Sequence, residues 1–126
     1  MRLLIGVLAT LIILISSGIW INDWLSDSSD HLVEQIEAVS RQVEAGDWSA
    51  ASAEVGQLER KWDKEAKWWP VFMEHQEIDN IEFSLARCKE YVSSQDHALA
   101  AGQLSEIRLM IEHIPRKEEI NIENIF

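Results

Sequence analysis

Cysteine is almost absent from this chain of 126 residues: Cys88 stands alone. No intrachain disulfide can form, so the fold must rest on its own core. Cys88 falls on an apolar helical stripe and reads as a small core residue, with an interchain disulfide as the alternative. Glycine is scarce too. There are five, and Gly6 and Gly18 lie inside one apolar run. Tight active-site loops are hard to build from so few, and neither a Gly-x-Ser-x-Gly elbow nor a glycine-rich phosphate loop occurs. An HExxH pair is missing as well. The chain is therefore expected not to be an enzyme and to need no cofactor. There is no Asn-Gly or Asp-Gly turn, and no sustained alternation of apolar and polar residues before residue 120. Sheet is excluded and helix is left.

Charge is absent from residues 3–22, "LLIGVLATLIILISSGIWIN". Twenty helical residues at about 1.5 Å each span about 30 Å, the thickness of a bilayer's hydrocarbon core. A cleaved signal peptide is the competing reading, with Arg2 as its basic start and Ser16-Ser17-Gly18 as its cleavage site. The apolar character resumes at Ile19, Trp20 and Ile21, which is long for a signal. Trp20 and Trp24 sit where an interfacial aromatic belt belongs. Residues 1–26 are thus expected to be an uncleaved single-pass anchor. Arg2 is the only cation before the run, and Asp23, Asp27 and Asp30 follow it. That asymmetry puts the amino end in the cytoplasm and the remainder outside the cell membrane.

All 22 acidic residues and ten of the 11 basic ones lie after residue 22, so that part carries a formal charge of −12. Nucleic acid needs a basic footprint and is excluded as a partner. Lying flat on an anionic membrane is disfavoured. The plain reading is a soluble, solvated surface.

The apolar residues that remain recur at helical spacing. Asp27, Ser28, Ser29 and Asp30 offer caps to a helix striped by Leu32, Ile36, Val39 and Val43, and Gly46 stops it. Asp47 caps a second helix, striped by Trp48, Ala51, Val55, Leu58, Trp62 and Trp69. Pro70 demands a break near Trp68-Trp69. A third helix is expected from Val71 or Phe72, with Phe72, His75, Ile78, Ile81, Leu85, Cys88 and Val92 inward. Asp96 caps a fourth, striped by Ala100, Leu104, Ile107, Ile111 and Ile114, and Pro115 is expected to end it.

The pattern repeats. A shift of 49 residues lays "VEAGDWSAASAEVGQL" over "VSSQDHALAAGQLSEI", so Val43 meets Val92 and Asp47 meets Asp96. Leu32, Ile36 and Val39 meet Ile81, Leu85 and Cys88 in the same register. One hairpin is used twice, and neither copy buries its apolar face alone. The expected fold is all-α: a transmembrane helix, then a four-helix bundle over residues 27–115 made of two antiparallel hairpins, 28–69 and 71–115. Residues 116–126 form an apolar tail, with Ile120, Ile122, Ile125 and Phe126 placed either on the bundle or on a partner.

Few residues suggest chemistry. His75 and Asp79 are four apart and Glu82 follows three later, so all three can share a helix face; His113 is the available fourth ligand. The plain alternative is a hydrogen-bonded histidine at the core's edge with the acids in water. Trp68 lies off the second stripe and is either an exposed binding aromatic or a shield over the turn.

Three features taken together resemble one bacterial family: the uncharged anchor, "FMEHQEIDNIEFSL" with Trp62 upstream of it, and the ending "LSEIRLMIEHIPRKEEINIENIF". This is the domain of unknown function 4363, found mainly in clostridia and their relatives. The resemblance implies a small membrane-anchored protein without an assigned activity, with a membrane-protein partner encoded nearby. The expected function is an extracytoplasmic helical interaction module that binds another envelope membrane protein. The alternative is a metal or small-ligand sensor using His75, Asp79 and His113. Nothing in the sequence supports a homo-oligomer.

Overall fold

A computed structural model describes the backbone of residues 1–125 and the side chains of residues 1–114. Four α-helices and one 3-10 segment follow one another: α1 (Arg2–Glu44), α2 (Trp48–Glu65), the 3-10 segment Ala66–Val71, α3 (His75–Ser93) and α4 (His97–Ile125). Helix α1 packs on α2 and α4, and α3 packs on α4 and α2. The four helices therefore close a ring of antiparallel neighbours, the up-down-up-down arrangement that short turns favour. Among the described residues no strand occurs.

The stripes meet on the bundle axis. Leu32, Ile36, Val39 and Val43 of α1 are buried with Ala51, Val55, Leu58 and Trp62 of α2. Ile78, Ile81, Leu85, Cys88 and Val92 of α3 join them, as do Ala100, Leu104, Ile107, Ile111 and Ile114 of α4. Burial in this core and the nearby Glu59 push the Cys88 thiol up to about 12, so it is a neutral packing group.

The two hairpin turns are the same object 49 residues apart. In the first, Gly46 N–H donates to Val43 O and Asp47 N–H to Gln42 O; in the second, Gln95 N–H donates to Val92 O and Asp96 N–H to Tyr91 O. This is the Schellman closure of a helix end, which places one residue in the left-handed region. Gly46 has φ 70° there and Gln95 has φ 57°. Each turn then hands over to an aspartate cap: Asp47 Oδ1 accepts from Ala50 N–H at 3.1 Å and Asp96 Oδ1 from Leu99 N–H at 3.0 Å. The equivalence extends to polar links between helices. Gln35 donates to the Glu54 carbonyl and carboxylate across α1 and α2. At the matching positions Ser84 and Gln103 are tied together by Arg87.

Three expectations are corrected. First, Asp27–Asp30 cap nothing, because α1 runs unbroken from Arg2 to Glu44. Ser28 and Ser29 are buried instead, and their hydroxyls serve other elements: Ser28 Oγ accepts from Trp69 Nε1 at 3.2 Å, and Ser29 Oγ donates to Ile111 O at 3.1 Å. Second, α4 does not stop at Pro115 but continues to Ile125. Proline has no N–H for the carbonyl four residues back, here Ile111. The Ser29 hydroxyl supplies that carbonyl with a donor, which removes one cost of carrying a proline inside the helix. Third, α3 begins at His75, not at Val71 or Phe72. Pro70 holds the chain in the 3-10 segment, and Phe72 N–H and Met73 N–H both close on Trp69 O. Phe72 and His75 are consequently exposed, not inward.

Candidate functional site

The residues with most to offer a ligand surface gather at one end of the bundle, where α1 leaves it. The local sequence Trp68-Trp69-Pro70 explains the geometry. A 3-10 helix turns about 120° per residue, so neighbouring side chains point apart. Trp69 points in: it is fully buried, meets Trp62 edge-on with ring centroids 5.3 Å apart, and bonds to Ser28. This pins the 3-10 segment to α1 and α2. Trp68 is thereby forced out and is 60% exposed, with Val71 beside it at 70%.

Across from them stand Trp20, Ile21 and Trp24 of α1. The Trp24 and Phe72 rings meet with centroids 6.2 Å apart at 60°. Trp20, Ile21, Trp24, Trp68, Val71 and Phe72 line an open groove of about 420 Å³. Lys67 Nζ lies 5.9 Å from the centre of the Trp68 ring, close enough for a cation–π contact. Sequence reasoning reached Trp20, Trp24 and Trp68 one at a time. Val71 and Phe72 were missed as surface residues, although Pro70 beside them was the available signal.

Below the groove, α1 is apolar on every side. Residues from Leu3 to Ile19 expose Leu, Ile and Val all round the helix. Among the described residues α1 is the one helix long and apolar enough to cross a membrane. Arg2 lies at its far end.

The proposed metal quartet does not assemble. Among the described residues no three His, Cys, Asp or Glu side chains are grouped to hold a metal ion. His75 and Asp79 are exposed at the start of α3. Glu82 faces α2, with Trp62 Nε1 3.5 Å from its carboxylate. His113 lines a separate cleft with Glu77 and Asn80. Helix periodicity correctly put His75, Asp79 and Glu82 on one helix, but Glu82 is engaged by Trp62 of α2 and His113 lies in a different cleft. Ile120, Ile122, Ile125 and Phe126 have side chains outside the described residues.

Some of the other charged groups form surface links. Lys89 pairs with Glu59 at 3.3 Å, and Arg108 with Glu37 at 3.2 Å. A hydrogen bond to Glu112, then the charges of Glu112 and Glu37, hold the Arg108 guanidinium more firmly protonated. Such exposed pairs position helices weakly and offer no reactive group.

Fold and site together define a class: a four-helix bundle of two like hairpins whose first helix extends into a bare apolar rod. The chain belongs to the family described as Domain of unknown function (DUF4363), whose model matches residues 19–125. No curated protein and no solved structure matches it.

Proposed function

We propose that this protein is a non-catalytic, membrane-anchored interaction module, held outside the cytoplasm and binding a second envelope membrane protein. One observation carries the reading: α1 is a single helix whose apolar half is exposed and whose other half is one wall of the bundle. No linker separates the two, so the rod would hold the bundle close to the membrane and at a fixed angle to the rod itself. A signal peptide cut at Ser16-Ser17-Gly18 would leave Ile19 and Trp20 as an exposed apolar stub on the bundle, which argues for an intact anchor. Arg2 before the run and Asp23, Asp27 and Asp30 after it favour a cytoplasmic amino end.

The partner-binding segment in this reading is the last part of α4 with the residues that follow, where Ile120, Ile122, Ile125 and Phe126 supply apolar anchors. The up-down order of the bundle brings that segment back toward the rod. Affinity recovery from detergent-solubilised native membranes, with the full chain and a chain lacking residues 117–126, tests it. The expected result is one stoichiometric membrane protein bound by the full chain and lost from the truncated one, with thermal melting unchanged. Recovery that survives the deletion refutes the role of the segment. Recovery of no membrane protein by either chain refutes the function.

A further inference from the structure

We infer that the 3-10 segment Ala66–Val71 and Phe72 form a second membrane contact: Trp68, Val71 and Phe72 seat one end of the bundle in the headgroup region of the bilayer that α1 crosses. The inference rests on the reading of α1 as a membrane span.

Three observations converge on lipid as the occupant. The first is position. The uncharged run of α1 ends at Asn22, and Trp20 and Trp24 bracket that end, about 6 Å apart along the axis. Trp24 meets Phe72 ring to ring at a tilted angle, and Trp20 lines the same groove as Trp68 and Val71. The segment is therefore level with the place where a spanning α1 leaves the hydrocarbon. The second is chemistry. Tryptophan beside aliphatic residues is what a bilayer interface selects, because the rings are apolar with one polar edge. Trp68 and Val71 are far more exposed than an inward-facing core side chain. The third is charge. The stretch 66–73 holds a single charged residue, Lys67, in a domain that is otherwise strongly acidic. Exposed Lys67 holds its ammonium over the Trp68 ring, so a cation stands at the edge of the apolar patch where a lipid phosphate would meet it. Elsewhere the acidic surface is repelled by anionic lipid, so contact is confined to this end.

The consequence is a two-point attachment. A single spanning helix can tilt in the bilayer, and the bundle rigidly continuous with it would tilt too. A second contact made by the loop between the hairpins fixes the tilt, and with it the face the bundle shows to a partner.

The test uses the full chain with Cys88→Ala and one new cysteine, Ile12→Cys, Val71→Cys or Ser49→Cys, each labelled with an environment-sensitive fluorophore. The labelled proteins are placed in phosphatidylcholine vesicles containing nitroxide lipid, with the nitroxide either near the headgroup or near the chain end. The label at 12 is expected to be quenched most by the deep nitroxide. The label at 71 is expected to be quenched several-fold more than the label at 49, and most by the shallow nitroxide. A label at 71 that behaves like that at 49, while 12 is quenched, overturns the second contact and leaves the anchor standing. A label at 71 that is shielded from water but unquenched overturns it in favour of a second copy of the chain. A label at 12 that is not quenched overturns the anchor and the contact together.

Discussion

The two hairpins are built alike and do different work. Both close with the same pair of backbone bonds, both cap the returning helix with aspartate, and both tie their helices with a polar link at matching positions. They differ in the residue at the left-handed turn position and at one end. Gly46 takes the left-handed position in the first turn and Gln95 in the second. The first hairpin begins with a helix that overshoots the bundle as an apolar rod; α3 begins flush, at His75. The shared parts are those a two-hairpin bundle needs to fold. The overshoot is the part that folding does not need, and it is where a functional reading must look.

The largest test of the likeness lies in the core. Leu58 and Ile107 are equivalent and completely buried. Leu58→Ala and Ile107→Ala should each cost about 2–5 kcal/mol, read by chemical denaturation of the full chain in micelles. A benign substitution at either site would break the equivalence.

The polar links come next. Gln35→Ala takes the donor from Glu54, and Arg87→Ala takes it from Ser84 and Gln103. Each should lower stability by about 1–2 kcal/mol in the same assay, with Gln35 the larger because its side chain is buried and that of Arg87 is exposed. The turns should respond in opposite directions. Gln95→Gly relieves a left-handed side chain and should stabilise by about 1 kcal/mol; Gly46→Ala should destabilise by a similar amount. A Cβ at Gly46 meets nothing within 4 Å, so its effect reports backbone conformation and not crowding.

The smallest effect is on pH dependence. The Cys88 thiol is raised from 9.0 to about 12 in the fold. The unfolded thiol ionises first as pH rises, so this group's contribution is intact below about pH 9 and is lost progressively toward pH 12. Cys88→Ala should flatten that part of the stability curve, and thiol-modifying reagent at pH 8 should leave folded Cys88 intact.

Much of the fold was legible because each helix buries a single stripe, and a stripe reveals itself by spacing alone. The aspartate caps were legible for a similarly local reason. What was hidden depended on contacts between distant segments. Ser28 and Ser29 resemble caps until Trp69 and Ile111 are placed beside them. Pro115 resembles a stop until another helix supplies a donor for Ile111. Phe72 and His75 matched the stripe of α3, but Pro70 delayed its start by one turn. Of the candidate site, the sequence showed three tryptophans and no arrangement. The outward turn of Trp68 follows from its neighbour Trp69 being needed inside.

Everything proposed for function depends on α1 being one rigid helix through residues 27–30, where its sequence looks most like a break. Spin labels at Ile15→Cys and Arg41→Cys, with Cys88→Ala, measure this by pulsed dipolar spectroscopy in nanodiscs. A continuous helix predicts one narrow distance near 39 Å, from a rise of about 1.5 Å over the intervening residues. A broad distribution, or one centred well below that length, would mean a hinge between rod and bundle and would contradict the account.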